Sequence, residues 1–300
     1  MTDAIESFVL NPRQNKFQEI TTSTIKERLS FKNEVSFTKP HILKFFAFVL
    51  VIEGEYEHAL DFKKYKIKAG DLFIICPNQI HYFIDLEGFD GYIITFSESF
   101  LRDYFLDFNP MIRYELLYEF YMHKQLKLST YTINQFIMIY HLIQQELKHK
   151  FDSSQKIILQ NLLSVLLHNI NREHVSTDLV SKMKIDNVFI DFMQELTKEA
   201  SYKLNVTHYA NKLGISVKTL QSVVKKNMNK SPKQMIDDNL ILECKRQLLN
   251  TECLIQDIAF NLGFEDPSAF TKYFKKITSQ TPAQFRLKSI NKVGFACFNQ

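Results

Sequence analysis

The sequence has no tryptophan and only 7 glycines and 7 prolines among its 300 residues. This scarcity of residues that interrupt regular structure argues against a loop-rich or collagen-like chain and favours long helices and strands. The chain is 45% hydrophobic and 23% charged, which is too apolar for a chain that stays disordered. Its length suits about two domains, each with a core of its own.

The four cysteines, Cys76, Cys244, Cys253 and Cys297, lie far apart and form no CxxC pair. Disulfide frameworks and zinc fingers need closely spaced ligands, so reduced thiols are expected instead. The amino terminus lacks the basic start and long apolar run of a signal peptide. The most apolar window contains the run 45–52, which is far shorter than the roughly 20 residues that span a bilayer. These absences predict a cytoplasmic protein.

Residues 31–96 consist of short apolar or alternating runs separated by turn residues, among them Gly54, Gly70 and Pro77. Phe, Tyr, Ile and Val dominate the runs, as is usual in β-strands. Several short strands joined in this way predict a small antiparallel barrel or sandwich.

Residues 98–176 change to a helical period, with apolar stripes along 133–147 and 158–170. Two neighbouring amphipathic helices of this kind either cover the barrel or pair with a second subunit, and the pattern leaves both open.

Residues 185–287 are predicted to be helical and contain an internal repeat, because 205–236 can be aligned with 254–285 in apolar and turn positions. Each copy reads helix, turn, helix, with Gly214 or Gly263 where the first helix should end in the left-handed conformation. The second helix begins after Ser216 in one copy and after Asp266 in the other, both good N-cap residues. This pattern predicts two helix-turn-helix units.

The positive charge of the chain is concentrated in this region, since residues 185–292 hold sixteen Lys and Arg against eleven Asp and Glu. A basic surface attracts the phosphates of nucleic acid. A plain helical bundle and a protein-binding adaptor remain alternatives, because helix-turn-helix shapes also occur without DNA.

The second copy resembles the signature of the AraC/XylS family of bacterial transcription regulators, IA-x-x-x-GF-x-x-x-S-x-F-x-K-x-FKK-x-x-x-x-TP-x-x-FR. The matching residues are Ile258, Ala259, Gly263, Phe264, Ser268, Phe270, Lys272, Phe274, Lys275, Lys276, Thr281, Pro282, Phe285 and Arg286. The resemblance implies two helix-turn-helix units joined by one long helix, expected from about 232 to 249. It covers about a third of the chain.

The resemblance also implies DNA contacts at particular positions. Those expected to read base edges are Lys218, Gln221, Ser222, Ser268, Thr271 and Lys272. Those expected to contact phosphates are Lys225, Lys275, Lys276 and Arg286. Each lysine could instead be a solvated helix residue.

The chain departs from the family pattern at five positions. Arginine is usual where this chain has Ser222, Asn239 and Lys272, and glycine is usual at Asn229 and Ser279. We therefore expect the second unit to contribute more affinity than usual and the first to favour A·T-rich sites.

The first zone resembles the cupin-like barrel that many AraC relatives carry, and such barrels often hold a small effector. Candidate effector-lining residues, chosen because they alternate along predicted strands, are Phe46, Phe48, Leu50, Ile74, Cys76, His81 and Phe83. A ligand-free core would use the same residues. Metal-dependent cupins carry an HxH pair, which this chain lacks, so no metal, no cofactor and no enzyme activity are expected.

The predicted protein is therefore of the α+β class. Its expected domains are a cupin-like sensor barrel at 1–100, a helical dimerisation segment at 101–180, and a DNA-binding domain with two helix-turn-helix units at 185–290. The predicted function is sequence-specific transcription regulation, as an activator, under the control of a small effector. Double-stranded DNA, a second copy of the chain and, by resemblance, RNA polymerase are the expected partners. Segment 176–186 is expected to carry the signal between the domains.

Overall fold

The computed structural model describes residues 6–8, 10, 19–30, 37–85, 88–100, 120, 123–150, 152–174, 187–249 and 253–288. The chain divides into two compact units, Glu6–Lys182 and Met183–Gln300. Segment 176–186, predicted to transmit a signal, and residues 101–119 of the predicted dimerisation segment lie outside the described residues.

The described part of the first unit contains strands followed by two long helices. Its elements are β1 (Glu6–Phe8), β2 (Ile20–Thr24), α1 (Ile25–Ser30), β3 (His41–Leu43), β4 (Phe46–Glu53), β5 (Glu55–Leu60), β6 (Lys63–Lys68), β7 (Asp71–Ile75), β8 (Ile80–Phe83), β9 (Asp90–Phe96), β10 (Gln125–Lys127), α2 (Thr130–Lys148) and α3 (Gln155–His174).

The strands form two five-stranded sheets instead of the expected closed barrel. Sheet A has the order β1-β3-β8-β5-β6, and sheet B has the order β10-β7-β4-β9-β2. All described strand pairs are antiparallel except β1 with β3. Each sheet ends in edge strands of its own, and no strand pair within the described residues joins A to B. The predicted sheet-rich domain is confirmed, but its closure into a barrel is corrected to a pair of open sheets.

Sheet B is buried on both faces, and β4 shows why. Ala47 and Val49 belong to the apolar cluster shared with sheet A, whereas Phe46, Phe48 and Leu50 belong to the cluster shared with α2 and α3. Because successive strand residues point to opposite faces, these two sets occupy the two sides of one sheet. The first unit therefore has three layers, with sheet B between sheet A and the helices.

Helices α2 and α3 pack against each other and against sheet B. Ser129 caps the start of α2 by accepting a hydrogen bond from the backbone N–H of Thr132 at 3.3 Å. In α3 the side chains of Leu159, Leu163, Leu166, Leu167 and Ile170 are buried. The apolar stripe predicted for this helix included Ile158 and Val165, which are 40% and 50% exposed and so lie outside the buried face.

The described part of the second unit is helical. Its helices are α4 (Asn187–Lys198), α5 (Val206–Lys212), α6 (Val217–Met228), α7 (Pro232–Leu249), α8 (Ile255–Asn261) and α9 (Pro267–Thr278), with a further helical stretch at 282–288. Nowhere in the described chain does a helix combine the length and apolar character that crossing a membrane requires.

Helix α7 is the predicted connecting helix, and its 18 residues extend over about 27 Å at ~1.5 Å per residue. Its residues Leu240, Cys244 and Leu248 are buried in one cluster with Phe270 and Phe274 of α9. This packing fixes the second helix-turn-helix unit on the long helix.

Candidate DNA-binding interface

The first helix-turn-helix unit consists of α5, a tight turn and α6. Gly214 ends α5 with a φ of +65°, and the backbone N–H of Ile215 donates to the carbonyl of Ala210 at 3.0 Å. A left-handed residue followed by such a backward hydrogen bond is a common way to end a helix. Ser216 then caps α6 by accepting a hydrogen bond from the backbone N–H of Thr219 at 3.0 Å.

The second unit repeats this geometry in α8 and α9. Gly263 has a φ of +80°, and the backbone N–H of Phe264 donates to the carbonyl of Ala259 at 3.0 Å. Asp266 caps α9 by accepting from the N–H of Ala269 at 2.8 Å, and Pro267 occupies the first helical position. The backbone N–H of Ala269 holds the pKa of the Asp266 carboxyl below its usual range. The predicted turns and caps are confirmed.

Helices α6 and α9 each bury one face and leave the other exposed. The buried residues are Leu220, Val223 and Val224 in α6 and Phe270 and Phe274 in α9. The opposite faces therefore remain available to a partner.

The residues predicted to read bases lie at the amino-terminal part of these helices. Lys218, Gln221 and Ser222 on α6 are exposed. On α9, Ser268 and Lys272 are likewise exposed.

Thr271 differs from the other predicted base readers because it is half-buried. Its hydroxyl donates to the carbonyl of Pro267 at 2.9 Å, one turn earlier in α9. This internal hydrogen bond occupies the hydroxyl proton and leaves the oxygen as an acceptor.

The lysines of the two helices stand apart from the ion pairs elsewhere in this unit. Lys198 and Lys212 both pair with Glu195 at 2.6 Å, and Lys230 pairs with Asp238 at 2.8 Å. Among the described residues no carboxylate lies within ion-pair distance of the exposed lysines of the two helices. These are Lys218, Lys225, Lys226, Lys272, Lys275 and Lys276. None of these six lysines therefore forms an ion pair with a described side chain.

A cavity of about 50 Å³ lies between sheets A and B, in the compact unit Glu6–Lys182. Sheet A contributes His41, His81 and Phe83 to its wall, and sheet B contributes Ala47 and Val49 among others. The wall is largely apolar but also includes Arg28 of α1 and Thr95 of β9, and a mostly apolar wall with a few polar groups suits a small organic ligand.

The structure places two of the predicted pocket residues, His81 and Phe83, in the wall of this cavity. The other five belong to the cluster on the opposite face of sheet B, against α2 and α3. They are Phe46, Phe48, Leu50, Ile74 and Cys76. Strands β4 and β7 are buried on both faces, so alternation alone could not decide which face meets the cavity. The predicted set combined residues from two different cores.

The Cys76 thiol lies outside the cavity and contacts two groups. The ammonium of Lys124 is 3.0 Å from its sulfur, and the sulfur lies 3.5 Å from the carbonyl oxygen of Phe120. Among the described residues no group of His, Cys, Asp and Glu side chains has the geometry to hold a metal ion.

Comparison with known proteins identifies the family to which a chain with these features belongs. Residues 209–288 match the family model of a helix-turn-helix domain, and residues 27–163 match the model of an AraC-like ligand binding domain. The chain belongs to the AraC family. Members of this family are transcription regulators, and the resemblance found in the sequence is confirmed.

Individual relatives are distant. The HTH-type transcriptional activator RhaS of Pectobacterium atrosepticum is 23% identical over 260 residues, covering 84% of this chain and 88% of RhaS. The uncharacterized HTH-type transcriptional regulator SAR0107 of Staphylococcus aureus is 25% identical over 242 residues, covering 79% of this chain and 30% of that protein. ToxT of Vibrio cholerae bound to (E)-4-(8-methylnaphthalen-1-yl)but-3-enoic acid aligns with 90% of this chain and 99% of its own, at a TM-score of 0.42 and 12% identity.

Two departures from the AraC-family pattern have a structural explanation. Asn229 and Ser279 end α6 and α9 with φ values of 52° and 63°, in the left-handed region where glycine is usual. Their backbone N–H groups donate to the carbonyls of Lys225 and Lys275 at 3.0 and 2.9 Å. Asparagine tolerates this conformation better than most residues, and serine does so at a larger cost.

A third departure serves the packing of the domain. Asn239, where the AraC family usually has arginine, donates from Nδ2 to the carbonyl of Leu196 at 2.8 Å. This bond links α7 to the end of α4.

Arg286 is partly engaged within the protein. Its Nε donates to the carbonyl of Leu248 at 2.9 Å, at the carboxyl end of α7. Burial lowers the pKa of this guanidinium from its usual value. The residue therefore ties the stretch 282–288 to the long helix, a role that the motif alone did not indicate.

A polar link between α9 and α7 was also missed by sequence reasoning. The Tyr273 hydroxyl lies 3.0 Å from Oδ1 of Asp237, which also pairs with Lys233 at 2.6 Å. Burial, followed by the nearby Asp237 charge, raises the pKa of Tyr273. The two residues are 36 positions apart, so no local pattern could have paired them.

Proposed function

We propose that this AraC-family protein is a sequence-specific DNA-binding transcription activator that acts as a homodimer and responds to a small effector. The observation that carries the proposal is the twin helix-turn-helix arrangement, in which both second helices expose lysines that form no ion pair with a described carboxylate. Because the target is chromosomal DNA, the protein acts in the cytoplasm, and an activator of this family acts on RNA polymerase.

In this proposal the amino-terminal parts of α6 and α9 enter consecutive major grooves. Gln221 pairs with adenine and Lys272 with guanine, each contact discriminating against a wrong base by about 1–3 kcal/mol. Lys218, Ser222, Ser268 and Thr271 complete the set of base readers. Helix α7, about 27 Å long at ~1.5 Å per residue, spaces the two units close to one turn of DNA.

The carboxyl-terminal parts of the same helices serve the DNA backbone. Lys225, Lys275 and Lys276 are exposed there and contact phosphates. Arg286, whose Nε donates to the carbonyl of Leu248, completes the proposed set of phosphate contacts.

The proposed dimer forms through α2 and α3. Each helix exposes large apolar side chains, among them Met138 at 50%, Leu142 at 41%, Ile157 at 59% and Val165 at 50%. Met138 and Leu142 are four residues apart and so share one face of α2. Exposed apolar residues grouped on neighbouring helices are typical of a surface that a second subunit covers.

The proposed effector site is the cavity between the sheets. At about 10–15 Å³ for each water-sized group, a volume of about 50 Å³ holds roughly three to five such groups. The effector is therefore a compact, mostly apolar molecule, and its binding alters DNA recognition by the helical unit that contains both helix-turn-helix units.

Selection of bound duplexes from a random library with the full-length protein tests this proposal. Enrichment of a motif with two half-sites about one helical turn apart supports it, and gel shifts on that motif should weaken with a salt slope of several phosphates. A protein that binds no duplex even at low salt would be the adaptor instead of a regulator.

A further inference from the structure

Three buried histidines lie on the inner face of sheet A, inside the apolar core. His41, His58 and His81 are 3%, 0% and 3% exposed. In the strand register His41 is opposite His81, and His58 is opposite Phe83. Residues opposite one another, and residues two apart on a strand, share a face, so all three imidazoles face sheet B.

His58 and His81 form a hydrogen-bonded pair. Nε2 of His58 lies 3.1 Å from Nδ1 of His81, and the two rings are stacked with centroids 5.2 Å apart. Burial lowers the pKa of His58 to about 3 and that of His81 well below its usual value. Both rings are therefore neutral near pH 7, and each carries a single N–H.

The outer nitrogens of this pair have no hydrogen-bond partner among the described residues. They are Nδ1 of His58 and Nε2 of His81, both fully buried. Of these two histidines only His81 lines the cavity, whereas His58 is packed against the rings of Phe73 and Phe83 at 4.8 and 4.6 Å. A molecule in the cavity can therefore satisfy the outer nitrogen of His81 but not that of His58.

The single proton between the rings decides which chemistry His81 offers. If His58 donates to His81, then His81 carries its own proton on Nε2, and the Nδ1 lone pair of His58 accepts no hydrogen bond. If His81 donates instead, His58 carries an N–H with no acceptor in the core. Without a ligand each tautomer leaves one buried N–H unpaired, Nε2–H of His81 in the first and Nδ1–H of His58 in the second, and such an N–H is costly. An acceptor in the cavity can pair only with the N–H of His81. The first tautomer is thus the one that a ligand can complete.

We infer that His81 is the specificity-determining residue of the cavity and that it donates a hydrogen bond from Nε2–H to an acceptor oxygen of a compact, otherwise apolar ligand. The inference rests on the effector role proposed for this cavity and defines the chemical class of the effector. His58 is a positioning residue that fixes the tautomer of His81.

Tetrahydrofuran and cyclopentane form a matched pair of probes, since each has five ring atoms and only the first has an acceptor oxygen. We expect tetrahydrofuran, titrated into the full-length protein without DNA, to shift the ¹⁵N resonance of His81 Nε2, which should carry the proton when tetrahydrofuran is bound. Cyclopentane should leave this resonance almost unchanged. The affinity ratio of tetrahydrofuran to cyclopentane should fall about tenfold in His81→Leu, the loss expected for one hydrogen bond.

Tyr82→Leu is the control variant, because Tyr82 neighbours His81 on β8 but lies on the opposite face of sheet A, outside the cavity, and its affinity ratio should match that of the wild type. The wild-type ¹⁵N measurement serves even if His81→Leu does not fold. An unprotonated Nε2 with tetrahydrofuran bound, an unchanged ratio in His81→Leu, or a failure of tetrahydrofuran to bind overturns the inference. None of these results touches DNA binding, which gel shifts without a probe measure separately.

Discussion

The two glycines that end α5 and α8 offer a matched test of how the turns position α6 and α9. Both have positive φ, so alanine at either position loses about 1–2 kcal/mol to the left-handed conformation. The surroundings differ. A Cβ on Gly214 would meet no atom within 4 Å, whereas a Cβ on Gly263 would lie 2.4 Å from Oγ of Ser201.

This difference sets the expected magnitudes. Gly214→Ala should cost about 1 kcal/mol, because the strain is partly offset by the lower entropy of the unfolded alanine chain. Gly263→Ala should cost about 2–4 kcal/mol, since forcing an extra carbon against a packed neighbour adds roughly 1–3 kcal/mol. Removing the hydroxyl in the double variant Ser201→Ala/Gly263→Ala should bring the cost back towards that of Gly214→Ala.

Urea unfolding of the full-length variants, followed by far-ultraviolet circular dichroism, measures these free energies. Hydrogen exchange of the amides in 255–262 shows whether the loss is local to α8. Equal costs for the two single variants, or no recovery in the double variant, would refute the steric reasoning and leave only the backbone conformation as the cause.

Other consequences of the structure are open to measurement. Lys272→Ala should weaken the specific DNA complex by about 1–3 kcal/mol in gel shifts. Lys230→Ala, which removes the same charge from an existing ion pair with Asp238, should change affinity far less, and equal losses would contradict base reading by Lys272. Replacing Met138 and Val165 by Glu should convert a dimer to a monomer in sedimentation experiments, and an unchanged mass would place the interface elsewhere. The folded-state pKa of His58 lies below that of an unfolded histidine, so the unfolded chain binds more protons in acid. Stability should therefore be fully present above about pH 6.5 and fall as the pH is lowered towards about 3. His58→Phe should flatten this fall in urea unfolding at several pH values, and an identical pH profile would contradict the assignment.

The helix-turn-helix units could be read from the sequence because their signals are local. Gly214, Ser216, Gly263 and Asp266 act within a few residues of their own positions, through left-handed turns and N-caps. Turns and caps of such short range form in the same way whatever the tertiary structure of the rest of the chain. The predicted turns therefore agree with the structure residue by residue.

The first unit could be predicted only in outline. Strand β4 is apolar at nearly every position, so its pattern does not say which face meets the cavity. Helix α3 likewise carries apolar residues around much of its circumference, and packing on sheet B selects Leu159 and Leu163 over Ile158 and Val165. Those choices depend on layers that only the tertiary fold defines.

The histidine pair lies beyond local patterns for a related reason. His58 and His81 are 23 residues apart and meet diagonally across β5 and β8. A shift of the strand register by one residue would turn one of them to the other face of the sheet. Sequence reasoning singled out His81 as a candidate pocket residue and could not pair it with His58.

Sheet B has a different neighbour on each face, with the cavity on one side and helices α2 and α3 on the other. Ala47 and Val49 line the cavity, while Phe46, Phe48 and Leu50, alternating with them along β4, support α2 and α3. Because β4 is close-packed on both faces, a displacement of its side chains on one face also displaces those packed on the other. A ligand that displaces Ala47 would therefore also displace the β4 side chains that contact α2 and α3, across the thickness of one strand. Such coupling requires neither a hinge nor a long series of intermediate contacts.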